Sequence, residues 1–373
     1  MKVQLMDPVC SPKMIRASVD AIKNERWLRG KSVKEFEAEF AKYVGARHAV
    51  AINNGTMALI LSIMAMDIGE GDVVITPPLS FIATANSVIF ARAKPVFVDI
   101  DPKTFNIDVR QLEQEIAKHG GRVKAIMPVH LYGYPAEMDE IMAIAKRHNI
   151  KVIEDACQAH GASYKGRMAG SIGDAAAFSF FPSKNMTVFG DGGMVTTNDQ
   201  TLSETLDCLR DCGRDMKTGN MHLHIRIGHT ARMASSHAAI GKVQLESLDK
   251  WVGKRRRVAK LYNRMLKGVG DVVTPPKETA EIKPAYHLYV IRTKRRDELK
   301  AYLEKNEIEC AINFPIPIHL QPPYRAMGYK EGMYPHAEAA ANEVLSLPMH
   351  QNLKKDDVEY VVNTIKRFFE ERA

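Results

Sequence analysis

Short apolar runs alternate with helix-like segments over the first two hundred residues, and this alternation restricts the fold more than any other feature. The segments 56–66, 109–118 and 138–148 are predicted as helices. Strands that alternate with helices build a largely parallel sheet with helices on its faces, so we expect an α/β fold. A further helix is predicted over 32–43, with Ser32 as its N-cap. The predicted strands are 48–52, 73–76, 95–99, 125–128, 151–154, 175–181 and 193–197.

The pattern changes after about residue 248. A long basic amphipathic helix is predicted over 250–266, and two prolines at 275 and 276 then interrupt the chain. The remaining predicted elements are a strand at 285–292, a helix at 296–305, an extended stretch at 310–314, a proline-rich loop at 315–323 and a helix at 355–371. We therefore expect a large α/β domain over 1–248, which includes the N-terminal segment, and a smaller α+β domain over 249–373.

The charge of the chain favours an anionic partner. Lys and Arg number 52 against 44 Asp and Glu, which gives 52 − 44 = +8. A positive protein attracts nucleic acids, acidic lipids and phosphorylated metabolites. The densest basic runs, 254–257 and 294–296, have no stacking aromatic residues between them, so we interpret them as solvated faces and not as a nucleic-acid site.

Nothing in the sequence predicts a membrane or secreted protein. No stretch approaches the roughly 18 apolar residues of a membrane span, and the first residues lack the apolar core of a signal peptide. The five cysteines are few and odd in number, which is typical of reduced thiols in the cytoplasm.

A phosphate site is indicated where the first predicted strand meets a helix. Gly55 would allow the backbone to approach a ligand closely, and Thr56 offers a hydroxyl beside the free N–H groups of the helix start. A helix N-terminus attracts phosphate through the positive end of its dipole. Because Gly-Thr is also an ordinary helix start, the pattern alone does not decide between the two.

Two charged residues stand at the ends of later predicted strands. Asp155 follows 151–154, at the edge where open α/β sheets bind ligands, and could hold a cationic ring nitrogen, a metal or a sugar hydroxyl. A metal is disfavoured because no other ligand recurs nearby at the right spacing. Lys184 follows 175–181, and a lysine in an apolar pocket loses proton affinity and can form an imine with an aldehyde. A capping acid and an exposed loop lysine are the structural alternatives.

Taken together, the phosphate cradle, the acid and the imine-forming lysine meet the needs of pyridoxal 5′-phosphate (PLP). This cofactor requires an anchor for its phosphate, a carboxylate that keeps its ring nitrogen protonated, and a lysine for its aldehyde. No metal is expected.

Around these residues the sequence resembles the DegT–StrS family, which are PLP-dependent nucleotide-sugar aminotransferases of fold type I. The resemblance extends over nearly the whole chain. It implies a large domain with a mostly parallel central sheet, a smaller C-terminal domain, and a homodimer with shared active sites. The matching segments are 30–37, 54–56, 72–77, 81–86, 128–133, 154–161, 179–185, 287–290 and 317–322, with Trp27 before them.

The resemblance implies a catalytic role for Lys184, which would hold PLP covalently and later move a proton. Asp155 would pair with the pyridinium nitrogen, Gln158 would contact the 3′-oxygen side of the ring, and Phe81 would stack on the ring face. A dehydratase branch of the family has histidine in place of the lysine, so Lys184 favours transamination.

For the phosphate, the resemblance implies contacts from Gly55, Thr56 and Ser179. The family usually has Gly-Tyr-Asn-x-Arg-Met where this chain has Gly-His-Thr-Ala-Arg-Met at 228–233. The family asparagine reaches the PLP phosphate of the neighbouring subunit, and Thr230 keeps a hydroxyl there on a shorter side chain.

Arg232 is retained and is predicted to contact the substrate or the carboxylate of the amino donor. Arg29, Lys31 and His319 are further candidate contacts for a sugar nucleotide, on the basis of loop position and charge.

The expected reaction moves an amino group from L-glutamate, through pyridoxamine phosphate, to a keto-sugar on a nucleotide diphosphate, with a preference for sugar C3. The alternatives are an aminotransferase for a non-nucleotide ketone such as a cyclitol or an amino-acid derivative, a PLP-dependent sugar dehydratase, and a regulatory or anion-binding protein that is not an enzyme.

Overall fold

The computed structural model describes residues 2–218 and 220–371. Its helices are α1 (Pro12–Asn24), α2 (Lys31–Val44), α3 (Gly55–Ala65), α4 (Ala83–Phe90), α5 (Val109–His119), α6 (Met138–His148), α7 (Gln200–Leu209), α8 (Ser235–Leu245), α9 (Leu248–Met265), α10 (Arg296–Lys305), α11 (Pro322–Arg325), α12 (Pro335–Glu343) and α13 (Lys355–Glu370). Its strands are β1 (His48–Ile52), β2 (Val73–Thr76), β3 (Lys94–Phe97), β4 (Val123–Ile126), β5 (Lys151–Asp155), β6 (Ser163–Tyr164), β7 (Arg167–Met168), β8 (Ala175–Ser179), β9 (Gly193–Thr197), β10 (Ile282–Lys283), β11 (Tyr289–Arg292) and β12 (Val344–Leu347).

In the described part of the chain, seven strands form the central sheet in the order β1-β9-β8-β5-β4-β2-β3. Strands β8, β5, β4, β2 and β3 are parallel, whereas β9 is antiparallel to both β1 and β8. The predicted α/β fold with a mostly parallel sheet is therefore confirmed. The seven predicted strands agree with the observed bounds or differ from them by one or two residues.

Helices cover both faces of this sheet, which explains why its strands are continuous apolar runs. Val74 of β2 packs in one core with Leu59 of α3, whereas Val73 and Ile75 face the opposite core with Leu112 of α5. Helix α3 is buried along most of its length, and its N-terminus is consequently fixed at one edge of the sheet.

The C-terminal part has its own core. The antiparallel pair β11 and β12 packs there against α9, α10 and α13. The long helix α9 begins at Leu248, at the predicted boundary, but the division into domains 1–248 and 249–373 stays a prediction.

The N-terminal segment pairs with this C-terminal core. The N–H of Val3 donates to the carbonyl of Glu307 at 3.0 Å, and the N–H of Met349 donates to the carbonyl of Leu5 at 3.1 Å. The segment that precedes α1 is therefore hydrogen-bonded to the C-terminal core.

Some local predictions are wrong. Ser32 is not the N-cap of α2, because Gly30 occupies that position and the Ser32 N–H and hydroxyl both donate to the Glu25 carboxylate, at 2.8 and 2.6 Å. The strand predicted at 285–292 is shorter, since only Tyr289–Arg292 pairs with β12. Among the described helices, none combines the length and the apolar character that crossing a bilayer requires.

Candidate active site

The candidate site lies at the carboxyl-terminal edge of the central sheet. Asp155 ends β5, Ser179 ends the neighbouring parallel strand β8, and Gly55 begins α3 directly after β1. Strands β1 and β8 are both antiparallel to the strand between them and therefore point the same way. The topology thus places at one edge three residues that the sequence separates widely.

The predicted phosphate cradle is assembled around Gly55. A Cβ atom at Gly55 would lie 2.6 Å from Ser179 Cβ and 3.1 Å from Cys157 Sγ, so only glycine fits between α3 and β8. Asn54 caps α3 by accepting a hydrogen bond from the N–H of Met57 at 2.8 Å. The first N–H groups of a helix have no acceptor within it, and those of Gly55 and Thr56 can therefore bind an anion.

Asp155 is buried and held by two donors. The Thr84 hydroxyl donates to one carboxylate oxygen at 2.8 Å, and the N–H of Cys157 donates to the other at 3.2 Å. Thr84 in turn shares a 2.8 Å hydrogen bond with the Ser80 hydroxyl. The sequence reasoning missed the role of Thr84, although it lies in the matching segment 81–86.

Lys184 lies in the turn after β8 and is half-buried. Burial lowers the pKa of its amine, and the negative charge of Asp155 acts against this shift. A lowered pKa increases the neutral fraction of the amine, which is the form that attacks an aldehyde.

Two buried histidines adjoin Lys184, and the sequence reasoning assigned neither a role. The ring of His160 lies 5.3 Å from that of Phe178 and 5.6 Å from that of Phe180, centroid to centroid. Burial, helped by the positive charge of Lys184, lowers the pKa of His160 to about 3. Burial first and Lys184 second also lower the pKa of His287. Both rings are therefore neutral at physiological pH.

Gln158 and Phe81 are the two predicted contacts of the cofactor ring, and they differ in burial. Gln158 is buried, and its Oε1 accepts a 2.7 Å hydrogen bond from the backbone N–H of Tyr132, which leaves Nε2 as its donor group. Phe81 is 56% exposed, a large value for an aromatic residue, and its ring centroid lies 6.1 Å from that of Phe314. The Phe81 carbonyl accepts a 3.1 Å hydrogen bond from the N–H of Thr84, whose hydroxyl contacts Asp155, and an exposed aromatic face so near Asp155 is suited to stacking on a flat ring.

The predicted substrate contacts are not gathered in one place. Arg29 and Arg232 both donate to the buried carboxylate of Asp211, Arg29 at 3.3 Å. Lys31 extends into solvent, with its Nζ 3.6 Å from Glu35 Oε1.

His319 is buried, whereas Thr230 is exposed. The side chain of His319 is fully buried, with its Nε2 3.0 Å from Glu338 Oε1, and burial lowers its pKa although Glu338 opposes the shift. Thr230 is exposed and lies 3.2 Å, oxygen to sulfur, from Cys212.

The residues at the sheet edge fit PLP. The Gly55 cradle suits the phosphate, Asp155 suits a cationic ring nitrogen, and the amine of Lys184 suits the aldehyde. In addition, Asn185 Oδ1, next to Lys184, is buried without a hydrogen-bond partner among the described residues, as expected where a ligand supplies a polar atom.

The sequence and the fold were compared with known proteins. The model of the DegT/DnrJ/EryC1/StrS aminotransferase family matches residues 10–366. A pleiotropic regulatory protein of Geobacillus stearothermophilus is 45% identical over 96% of this chain and 95% of its own length. The dTDP-3-amino-3,4,6-trideoxy-alpha-D-glucose transaminase of Streptomyces venezuelae is 38% identical over 99% of this chain and 97% of its own.

Solved structures show the same similarity. DesV of S. venezuelae, in complex with a ketimine intermediate, has a TM-score of 0.94 and 36% identity, with 99% of both chains covered. The PLP form of Spr1654 from Streptococcus pneumoniae has a TM-score of 0.92 and 25% identity, with 100% of this chain and 99% of that chain covered.

Proposed function

This chain belongs to the DegT/DnrJ/EryC1/StrS aminotransferase family, and we propose that it transfers an amino group from L-glutamate to C3 of a keto-sugar carried on a nucleotide diphosphate. PLP-dependent transamination and a nucleotide-sugar substrate follow from the family and its sugar-transaminase relatives. L-glutamate as the amino donor and C3 as the aminated carbon are the parts that we propose. The observation that carries the proposal is the meeting of Gly55, Asp155 and Lys184 at one sheet edge.

In the proposed mechanism the chain supplies positioning and proton transfer. Bound PLP is an electron sink that makes the Cα proton of an amino acid acidic. Asp155, fixed by Thr84, keeps a proton on the ring nitrogen. Lys184, whose pKa burial lowers, takes the Cα proton of the donor as a base and returns a proton as an acid on the way to product.

For the substrate, we propose that Arg29 and Arg232 bind anionic groups, with Lys31 and His319 as further contacts. Arg29 and Arg232 already share Asp211, and the Nε of Arg232 is buried without an acceptor among the described residues. A carboxylate or diphosphate oxygen is the natural acceptor for such a guanidinium.

A second copy of the chain completes the site in this proposal. Exposed apolar side chains that water disfavours include Trp27, which is 73% exposed, and Ile227, which is 89% exposed. Ile15 and Ile22, on one face of α1, are exposed as well. Thr230 is exposed in its own subunit and would reach the phosphate of the partner subunit from such an interface.

The cytoplasm is the proposed location. The five cysteines are all unpaired, as in a reducing compartment.

The decisive experiment offers the purified protein a panel of keto-sugar nucleotides with L-glutamate. Stoichiometric 2-oxoglutarate, together with an amino group at C3, supports the proposal in full. Turnover without 2-oxoglutarate would identify a dehydratase, and turnover of cyclitols or amino-acid derivatives alone would exclude the nucleotide.

A regulatory role is the second candidate, because the Geobacillus relative is a pleiotropic regulatory protein by name. A colourless protein without a borohydride-reducible adduct at Lys184 would favour that role over the enzyme.

A further inference from the structure

Tyr132 is a bulky residue in an unfavourable backbone conformation, next to the candidate site. Its φ of 58° and ψ of 8° lie in the left-handed region, which an aromatic residue rarely adopts. Such a conformation persists only where surrounding contacts impose it, and these residues cluster at functional sites.

The backbone of Tyr132 is hydrogen-bonded both to the candidate site and to the C-terminal part of the chain. The N–H of Tyr132 donates to Gln158 Oε1 at 2.7 Å, and its carbonyl accepts from the N–H of Leu288 at 3.3 Å. The next residue, Gly133, leaves no space for a side chain, because a Cβ there would lie 2.9 Å from the Gln158 carbonyl oxygen and 3.0 Å from the His287 nitrogen.

Its side chain makes a second connection. The hydroxyl of Tyr132 donates to the carbonyl of Asn313, directly before Phe314. Phe314 is the residue whose ring lies against Phe81. Burial raises the pKa of the Tyr132 hydroxyl, which therefore remains a donor at any working pH.

We propose that Tyr132 is a positioning residue that links the loop carrying Phe314 to the side-chain amide of Gln158. Through this link, the position of Phe314 and Phe81 over the ring face and the position of Gln158 at the ring edge depend on each other. The inference rests on the proposed function, because it takes Gln158 and Phe81 as cofactor contacts. Tyr132 touches neither the cofactor nor the substrate in this proposal; it acts through its two neighbours.

The first test removes only the hydroxyl, with Tyr132→Phe in the full-length protein. Tyr134→Phe is the matched control, because the Tyr134 hydroxyl has no hydrogen-bond partner in the described part of the chain. Hydrogen exchange is followed by mass spectrometry on peptides that cover 311–317, without added cofactor. One lost hydrogen bond should raise exchange there by roughly 2- to 10-fold in Tyr132→Phe, and Tyr134→Phe should match the wild type.

The second test asks whether Tyr132 acts through Gln158. The dissociation constant of PLP is measured for the wild type, Tyr132→Phe, Gln158→Ala and the double variant. We expect Tyr132→Phe to weaken binding by roughly 2- to 10-fold in the wild-type background and by a smaller factor beside Gln158→Ala, because the part of the effect that passes through Gln158 is then already lost.

Wild-type exchange at 311–317 in Tyr132→Phe, or effects on PLP affinity that multiply in the double variant, would overturn the inference. If Tyr132 only stabilised the fold, Tyr132→Phe would change the PLP affinity by the same factor with and without Gln158. Failure of the proposed function has a different signature, since a wild-type protein that binds no PLP would refute it before any variant is compared.

Discussion

Replacing Gly55 with alanine should separate the two elements that form the phosphate cradle. The added methyl carbon would lie 2.6 Å from Ser179 Cβ and 3.1 Å from Cys157 Sγ. Carbon atoms pack at about 3.5–4.0 Å, so the start of α3 and the end of β8 must move apart by about 1 Å. Ser179 cannot rotate away, because its clashing atom is a Cβ fixed to the backbone.

The size of the effect follows from the cost of overpacking. Forcing an extra methyl group into a tight core destabilises a protein by about 1–3 kcal/mol. If that strain is borne at the cradle, PLP affinity falls by about 5- to 150-fold, since 1.4 kcal/mol corresponds to a factor of ten. The free energy of unfolding of the apoprotein should fall by about 1–3 kcal/mol as well.

The assay titrates apoprotein with PLP and follows the bound cofactor by absorbance, beside urea unfolding without PLP. Gly121→Ala is the matched control, because nothing lies within 4 Å of a Cβ at that position. Wild-type PLP affinity in Gly55→Ala would refute the placement of the phosphate between α3 and β8, whatever the unfolding result.

The remaining predictions concern the charged residues of the site. Lys184→Ala should abolish both turnover and the borohydride-reducible adduct; an adduct elsewhere with retained turnover would contradict the assignment. In the apoprotein, the Lys184 amine should titrate below 10.5, as read from pH-dependent labelling and mass spectrometry, and Asp155→Asn should lower its pKa further by removing a charge that raises it. Because the unfolded lysine binds the proton more tightly, its contribution to stability should rise with pH between the folded pKa and 10.5. Glu154→Ala, which leaves His130 buried without the carboxylate 2.8 Å away, should cost about 3–5 kcal/mol of unfolding free energy; a loss below 1 kcal/mol would show that the pair is dispensable.

The sequence predicts the central sheet well because its strands are buried on both faces. Such strands are unbroken apolar runs, and the bounds of β1, β2 and β9 consequently agree with the prediction residue for residue. Helices α4 and α8, which have no clear apolar period, were missed. Helix α4 is composed of small and apolar residues throughout, and α8 has small residues such as Ala238 and Gly241 on its buried side.

Within the site, the motifs predicted the residues that contact ligands. They did not predict the residues that hold those contact residues in place. Gly55, Asp155 and Lys184 carry a recognisable chemistry at a strand end. Thr84 has no such signal, because its contact with Asp155 joins residues 71 positions apart. The neutral state of His160 likewise depends on burial between two phenylalanines, which only the folded chain provides.

The pairing of the N-terminal segment with the C-terminal core has a consequence during biosynthesis. The N–H of Leu5 donates to the Glu309 carboxylate across 304 residues of sequence. At translation rates of roughly 5–20 residues per second, Leu5 is synthesised about 15 to 60 s before Glu309. Val3, which is buried in the C-terminal core of the folded protein, stays exposed to solvent for that interval.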